Sequence, residues 1–188
     1  GAENYTQKKG IQLDLKKSLK MYFPKLVDVY NEFKSGKKFS DLISDDCYYT
    51  IPMTKYGINQ GLLHMQKNDK TDEKELRDKG FSDETVKMIK DKEGKITFSQ
   101  MRPMIEDNGY EFFTNPDKMA ELLNSNNIVD ILDIKFITAP ALYLDFAYIN
   151  SSSGEFCIPF MSRPEFANLT NGKVYKMDDI IGLFNKKH

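Results

Sequence analysis

Between Met119 and Gly172 the only basic side chains are Lys135 and Arg163, in a chain that carries 27 Lys and Arg. A stretch that sheds cations this way is suited to lie against apolar surface, and its pattern says in what form. Leu142, Leu144, Phe146 and Tyr148 alternate with Ala141, Tyr143, Asp145 and Ala147; Phe156, Ile158 and Phe160 alternate with Glu155, Cys157 and Pro159. A repeat of two is the period of a β-strand. Ser151-Ser152-Ser153-Gly154 between the two runs predicts an antiparallel hairpin. Strands are therefore expected over 128–138, 141–149 and 155–161. Pro159 puts the last at or near a sheet edge, because proline has no N–H for a ladder.

The start of the chain carries a different period. Ile11, Leu15, Leu19, Tyr22, Leu26, Val29, Tyr30 and Phe33 step at intervals of three and four, which gathers them into one helical stripe. The spacing predicts a long amphipathic helix, bent or broken at Phe23-Pro24 and ended by Ser35-Gly36. Its apolar ridge, with Leu15, Leu19 and Leu26, would lie across the later strands. Next, a short helical turn from Phe39, with Ser40 as a cap, leads into a strand over 47–51 that Pro52 ends or marks as an edge. Over 56–110 charge density is high and apolar periodicity poor. That segment reads as a charged helical insertion or mobile subdomain, with helix starts at Thr71 and Ser82 and a brief strand over 95–98. Asn115-Pro116 is pre-organised to open a helix running to about Asn124. Asn171-Gly172 marks a turn, and Asp178 caps a short closing helix that ends near Asn185. The expected fold class is α+β: one domain, 1–188, with helices against one face of a mainly antiparallel curved sheet.

Composition removes several functions. Acidic residues number 28 against 27 basic ones, a net charge of −1, so the basic footprint of a nucleic-acid binder is missing. The longest stretch free of Asp, Glu, Lys and Arg runs from Tyr56 to Gln66, well short of the roughly 20 residues a spanning helix needs. Cys47 and Cys157 are too few for a disulfide framework and lack CxxC spacing, which leaves free thiols or a single bridge. Lys90 to Phe98 resembles the middle of a calcium loop, but Ile89 and Gln100 stand where its first and last carboxylate ligands belong. No metal site is expected, and no GxSxG, P-loop or GxGxxG motif points to a cofactor. The opening Gly1-Ala2-Glu3-Asn4 lacks Met, which fits initiator-Met removal before Gly as well as the removal of a signal peptide or lipoprotein leader. An extracytoplasmic location, secreted or surface-anchored, is the expectation.

A few residues stand out as candidates for a site. Asp145, in mid-strand with Tyr143 on its own face, could handle protons if that face lines a pocket. His64 is a base only if the fold brings a carboxylate to it. Tyr48, Tyr49, Tyr143 and Tyr148 could line a cavity, although aromatic residues in strands are commonly core. In Phe160-Met161-Ser162-Arg163-Pro164-Glu165-Phe166, Arg163 and Phe166 beside an edge strand have the composition of a partner interface.

Two segments resemble known families. The run from Tyr30 through Gly36, the Phe39-Ser40-Asp41-Leu42 turn, the Asp45-Asp46 pair and Cys47-Tyr48-Tyr49 resembles the opening of the nuclear-transport-factor-two-like (SnoaL-type) superfamily. That resemblance, over 30–49, implies a curved sheet closed by a helix around a cavity. Members include enzymes and non-catalytic binders, so it implies no particular reaction. The segment Gly154 to Phe166 is similar to the strand-turn-helix of SseB-type bacterial proteins, which implies an interaction role. Together these readings favour a non-catalytic module that binds a protein or small-molecule ligand on or within its sheet. The alternative is a small cone-fold enzyme, isomerase- or hydrolase-like, with Asp145 or His64 as base in a tyrosine-lined pocket.

Overall fold

Leu19 and Met21 are buried and Lys20 between them is exposed, a repeat of two rather than 3.6. That difference settles the start of the chain. The structure is a computed structural model that describes residues 10–66, 72–91, 97–102 and 108–185. In chain order its strands and helices are β1 (Gln12–Leu13), β2 (Leu19–Pro24), α1 (Val29–Lys34), β3 (Ile43–Lys55) and β4 (Ile58–Gln66). These are followed by α2 (Glu73–Asp78), α3 (Asp83–Asp91), β5 (Thr97–Arg102), α4 (Asn108–Phe113) and α5 (Pro116–Ser125). The chain closes with β6 (Ile131–Ala139), β7 (Leu144–Ser151), β8 (Gly154–Met161), β9 (Tyr175–Lys176) and α6 (Met177–Ile180). The protein is thus a mixed helix-and-strand fold with antiparallel pairing dominant.

The long N-terminal helix is not formed. Residues 11–33 are instead β1, a 3-10 turn at Leu15–Lys17, β2 and then the short α1. Leu26, which the helical stripe requires in the core, is 104% exposed, and Leu15 is 39% exposed. Proline inside a helix costs about 3 kcal/mol, and Pro24 sits near the middle of the expected rod. The strand instead keeps Leu19 and Met21 in the core and ends at Pro24, where the missing N–H does no harm. α1 is capped by Asp28, whose side chain accepts from the Asn31 N–H at 3.1 Å.

Two compact units divide the residues, one from Gly1–Lys20 and Cys47–Asp107, the other from Met21–Asp46 and Asn108–His188. In the first, β3 pairs antiparallel with both β1 and β4. Tyr56 and Gly57 both have positive φ and join Lys55 to Ile58, the tight two-residue turn whose twist suits a hairpin. β3 runs past Pro52 to Lys55, and the Pro52 carbonyl accepts from the Asp14 N–H at 2.9 Å, so Pro52 neither ends the strand nor marks an edge there. β4 pairs in turn with β5. α2 is capped by Asp72 and α3 by Ser82, whose hydroxyl accepts from the Thr85 N–H at 3.2 Å. Ile11, Ile51, Met53, Leu76, Phe81 and Val86 form this unit's core. Ile11 enters between Gly80 and Ser82, and a side chain at Gly10 would collide with the Ser82 backbone at 2.3 Å. Of the calcium-loop resemblance over Lys90 to Phe98, residues 92–96 lie outside the described residues.

In the second unit β6, β7 and β8 form an antiparallel meander, β9 pairs with β8 at Phe156 and Cys157, and Met21 and Tyr22 of β2 run parallel to Phe136 and Ile137 of β6. The loop between β7 and β8 is only Ser152-Ser153, because Ser151 faces Gly154 directly. Helices cover both faces, not one as the sequence suggests. Val29, Phe39, Met177 and Ile180 pack with Ile137, Phe146, Tyr148 and Cys157. Strand alternation puts Phe136 and Phe160 on the opposite face, where Phe113 of α4 lies 4.7 and 5.1 Å from them between ring centroids. Asn115 caps α5 as expected, accepting from the Lys118 N–H at 3.2 Å. α6 starts at Met177 straight from β9, so Asp178 lies in its first turn and is not its cap. Cys47 and Cys157 are both buried free thiols.

These positions separate the strand from the helix experimentally. Leu19→Ala should lower stability by about 2–5 kcal/mol, as for a buried leucine. Leu26→Ala should stay within about 0.5 kcal/mol of wild type. Denaturant melts in which both cost the same would restore the helical stripe.

Candidate functional site

Register brings two loops together at one end of the β6–β7–β8 meander. Ala139 faces Leu144, and Leu144 faces Met161, so the corner before β7 adjoins the loop that leaves β8. The corner is a 3-10 turn, Pro140–Leu142, closed by Tyr143 in the left-handed region at φ 51°, with its N–H donating to the Pro140 carbonyl at 3.1 Å. The second loop is another 3-10 turn, Pro164–Ala167, tied by the Leu169 N–H to the Pro164 carbonyl at 3.0 Å. In each loop proline supplies the fixed φ that a turn's first position favours.

Between them lies a groove of about 650 Å³. Leu142, Met161 and Leu183 form its floor, and all three also pack against the unit's core. Ala141 and Ala167 are the small side chains that leave the space open. Tyr143 and Phe166 stand at the rim, 82% and 71% exposed. Arg163 also lines the groove, its guanidinium carbon 5.5 Å from the Phe166 ring centroid, within cation–π range. Ser162 and the Tyr143 hydroxyl are the other polar groups of the lining, which among the described residues holds no Asp, Glu, His, Cys or Lys.

Three of the residues singled out from the sequence, Tyr143, Arg163 and Phe166, therefore meet in one place. Asp145 does not join them. The left-handed Tyr143 lies outside the strand, which breaks the alternation that would have put it on the Asp145 face. Asp145 shares its face with Thr138 and Phe160, and its Oδ1 accepts from the Thr138 hydroxyl at 2.7 Å. Tyr48 is buried in β3, opposite Gln66. The backbone of His64 lies in β4 opposite Thr50, and its side chain is outside the described residues. Among the described residues no group of His, Cys, Asp or Glu could hold a metal ion, and no helix is long and apolar enough to cross a membrane.

A second polar cluster, not anticipated from the sequence, sits near the β7–β8 turn. The Glu155 carboxylate accepts from the Phe39 N–H at 3.0 Å and the Ser40 N–H at 3.1 Å, and Tyr148 donates its hydroxyl to the same group. Glu155 thereby satisfies the free amides at the start of the 3-10 turn Phe39–Leu42 and holds that turn to the hairpin. Its role is structural. Burial, reinforced by the bond to Glu155, pushes the Tyr148 phenol well above its ordinary range, and burial alone pushes the Cys157 thiol up. Above about pH 10 the unfolded chain releases the Tyr148 proton while the folded one retains it. Stability that is complete at lower pH should then fall by about 1.4 kcal/mol per pH unit from this group. Tyr148→Phe should remove that contribution. Denaturant midpoints followed from neutral to alkaline pH check it, and equal alkaline slopes for variant and wild type would contradict it.

Compared with known proteins, the chain matches no family model, no curated protein and no solved structure.

Proposed function

We propose that this chain is a non-catalytic binding module whose site is the groove between the Pro140–Leu142 corner and the Pro164–Ala167 turn. The observation that carries this reading is the pairing of two well-exposed aromatic side chains, Tyr143 and Phe166, with an apolar floor continuous with the core. Fully exposed aromatic surface is unfavourable in water by roughly 25 cal/mol per Å² and gains most when a ligand covers it. A groove of this volume, mainly apolar with a few polar groups at its mouth, matches the general form of ligand sites. The lining supports binding over catalysis. Among the described lining residues Ser162 carries the one hydroxyl besides that of Tyr143, and no carboxylate or imidazole stands there to activate either.

The floor is anchored in the core and the rim is not, so rim substitutions should leave folding intact. Tyr143→Ala with Phe166→Ala should weaken binding of an environment-sensitive apolar dye at least tenfold, with a melting temperature close to wild type. A dye isotherm unchanged by the double substitution would refute the assignment of the site.

A further inference from the structure

The chemistry of the groove also constrains the occupant, and this inference rests on the binding reading just given. Arg163 is, among the described residues, the only charged side chain in the lining. Among the described residues no carboxylate forms an ion pair with it, and its guanidinium lies in cation–π range of the Phe166 ring. An arginine in cation–π range of a ring, with no carboxylate partner, keeps N–H donors of its planar fork available to pair with two oxygens of an anion. One cation beside an apolar trough fits an anion of one charge. A phosphate monoester, close to doubly charged at neutral pH, would bring charge into the groove that nothing there balances.

The edge of β8 next to the groove bears on the rest of the occupant. Pro159 has no N–H, and its carbonyl accepts from the Gly172 N–H at 3.0 Å. The Asn171 side chain then occupies Met161 as a neighbouring strand would, its Oδ1 accepting from the Met161 N–H and its Nδ2 donating to the Met161 carbonyl, both at 2.8 Å. A peptide cannot bind here by adding a strand, because the edge groups that would hold its backbone are already used. What remains for recognition is apolar contact with the floor, the hydroxyls of Ser162 and Tyr143, and the fork of Arg163, the one charged group among them.

From this we infer that the groove takes a small amphipathic monocarboxylate, its hydrocarbon body on Leu142, Met161 and Leu183 and its carboxylate held by Arg163. Calorimetric titration of the intact chain with decanoate, decanol and the apolar tripeptide Leu-Val-Phe tests this. Decanoate should bind at least tenfold more tightly than decanol. Arg163→Gln should remove that preference by weakening decanoate alone, and Arg163→Lys should restore part of it. Equal affinity for decanoate and decanol, with Arg163→Gln changing neither, would overturn the inference while leaving the groove as a binding site. A tripeptide that binds where decanoate does not would overturn it in favour of a protein C-terminus. Failure of all three probes would overturn both the inference and the reading beneath it.

Discussion

β7 is buried on both faces, and the second unit is organised around that fact. Leu144, Phe146 and Tyr148 point into one core, and Ala147 and Ile149 into the other, all at 1% exposure or less. A strand enclosed in this way cannot slip by one residue. The slip would exchange the two sets, and Tyr148 would lose both its aromatic neighbour Phe39 and its hydrogen bond to Glu155. A fixed β7 fixes the registers of β6 and β8. Those registers decide which loops meet at each end of the meander.

The two ends are finished differently. At the hairpin end Glu155 accepts from two backbone amides and a phenol, and Ser151 donates to the Gly154 carbonyl at 2.9 Å, so polar groups are met internally. At the other end two proline-led turns stop short of closing over the core. They leave Leu142, Met161 and Leu183 at the bottom of a trough and raise Tyr143 and Phe166 beside it. A buried polar group without a partner costs more than an exposed apolar one. The hairpin end follows that preference, and the open end carries an apolar exposure that the fold itself does not use.

Much of this is legible in the sequence where period and turn chemistry agree. The three late strands, the Asn115 and Ser82 caps, and the meeting of Arg163 and Phe166 beside a strand end follow from local pattern alone. The first helix fails because Ile11, Leu19 and Val29 satisfy both periods at once; only tertiary context decides, and Pro24 is the local hint that the helix is wrong. β4 is obscured because it lies in the charge-free run from Tyr56 to Gln66, where no clean alternation shows and the turn before it is Tyr-Gly rather than the usual Asn-Gly. Asp145 and Tyr143 part company because a single left-handed residue ends the alternation, and nothing in a residue's identity as tyrosine announces φ > 0. The Glu155 cluster joins residues 116 positions apart, a separation that no local pattern reports.

The central claim is that a doubly buried β7 holds the groove's walls in place while the walls stay open to solvent. Native-state hydrogen exchange resolved to short peptides measures both halves together. Amides of β7 should exchange only through global unfolding, with opening free energies at the maximum for the chain, and those of 162–167 should exchange orders of magnitude faster. Exchange in β7 as fast as in 162–167 would contradict the account.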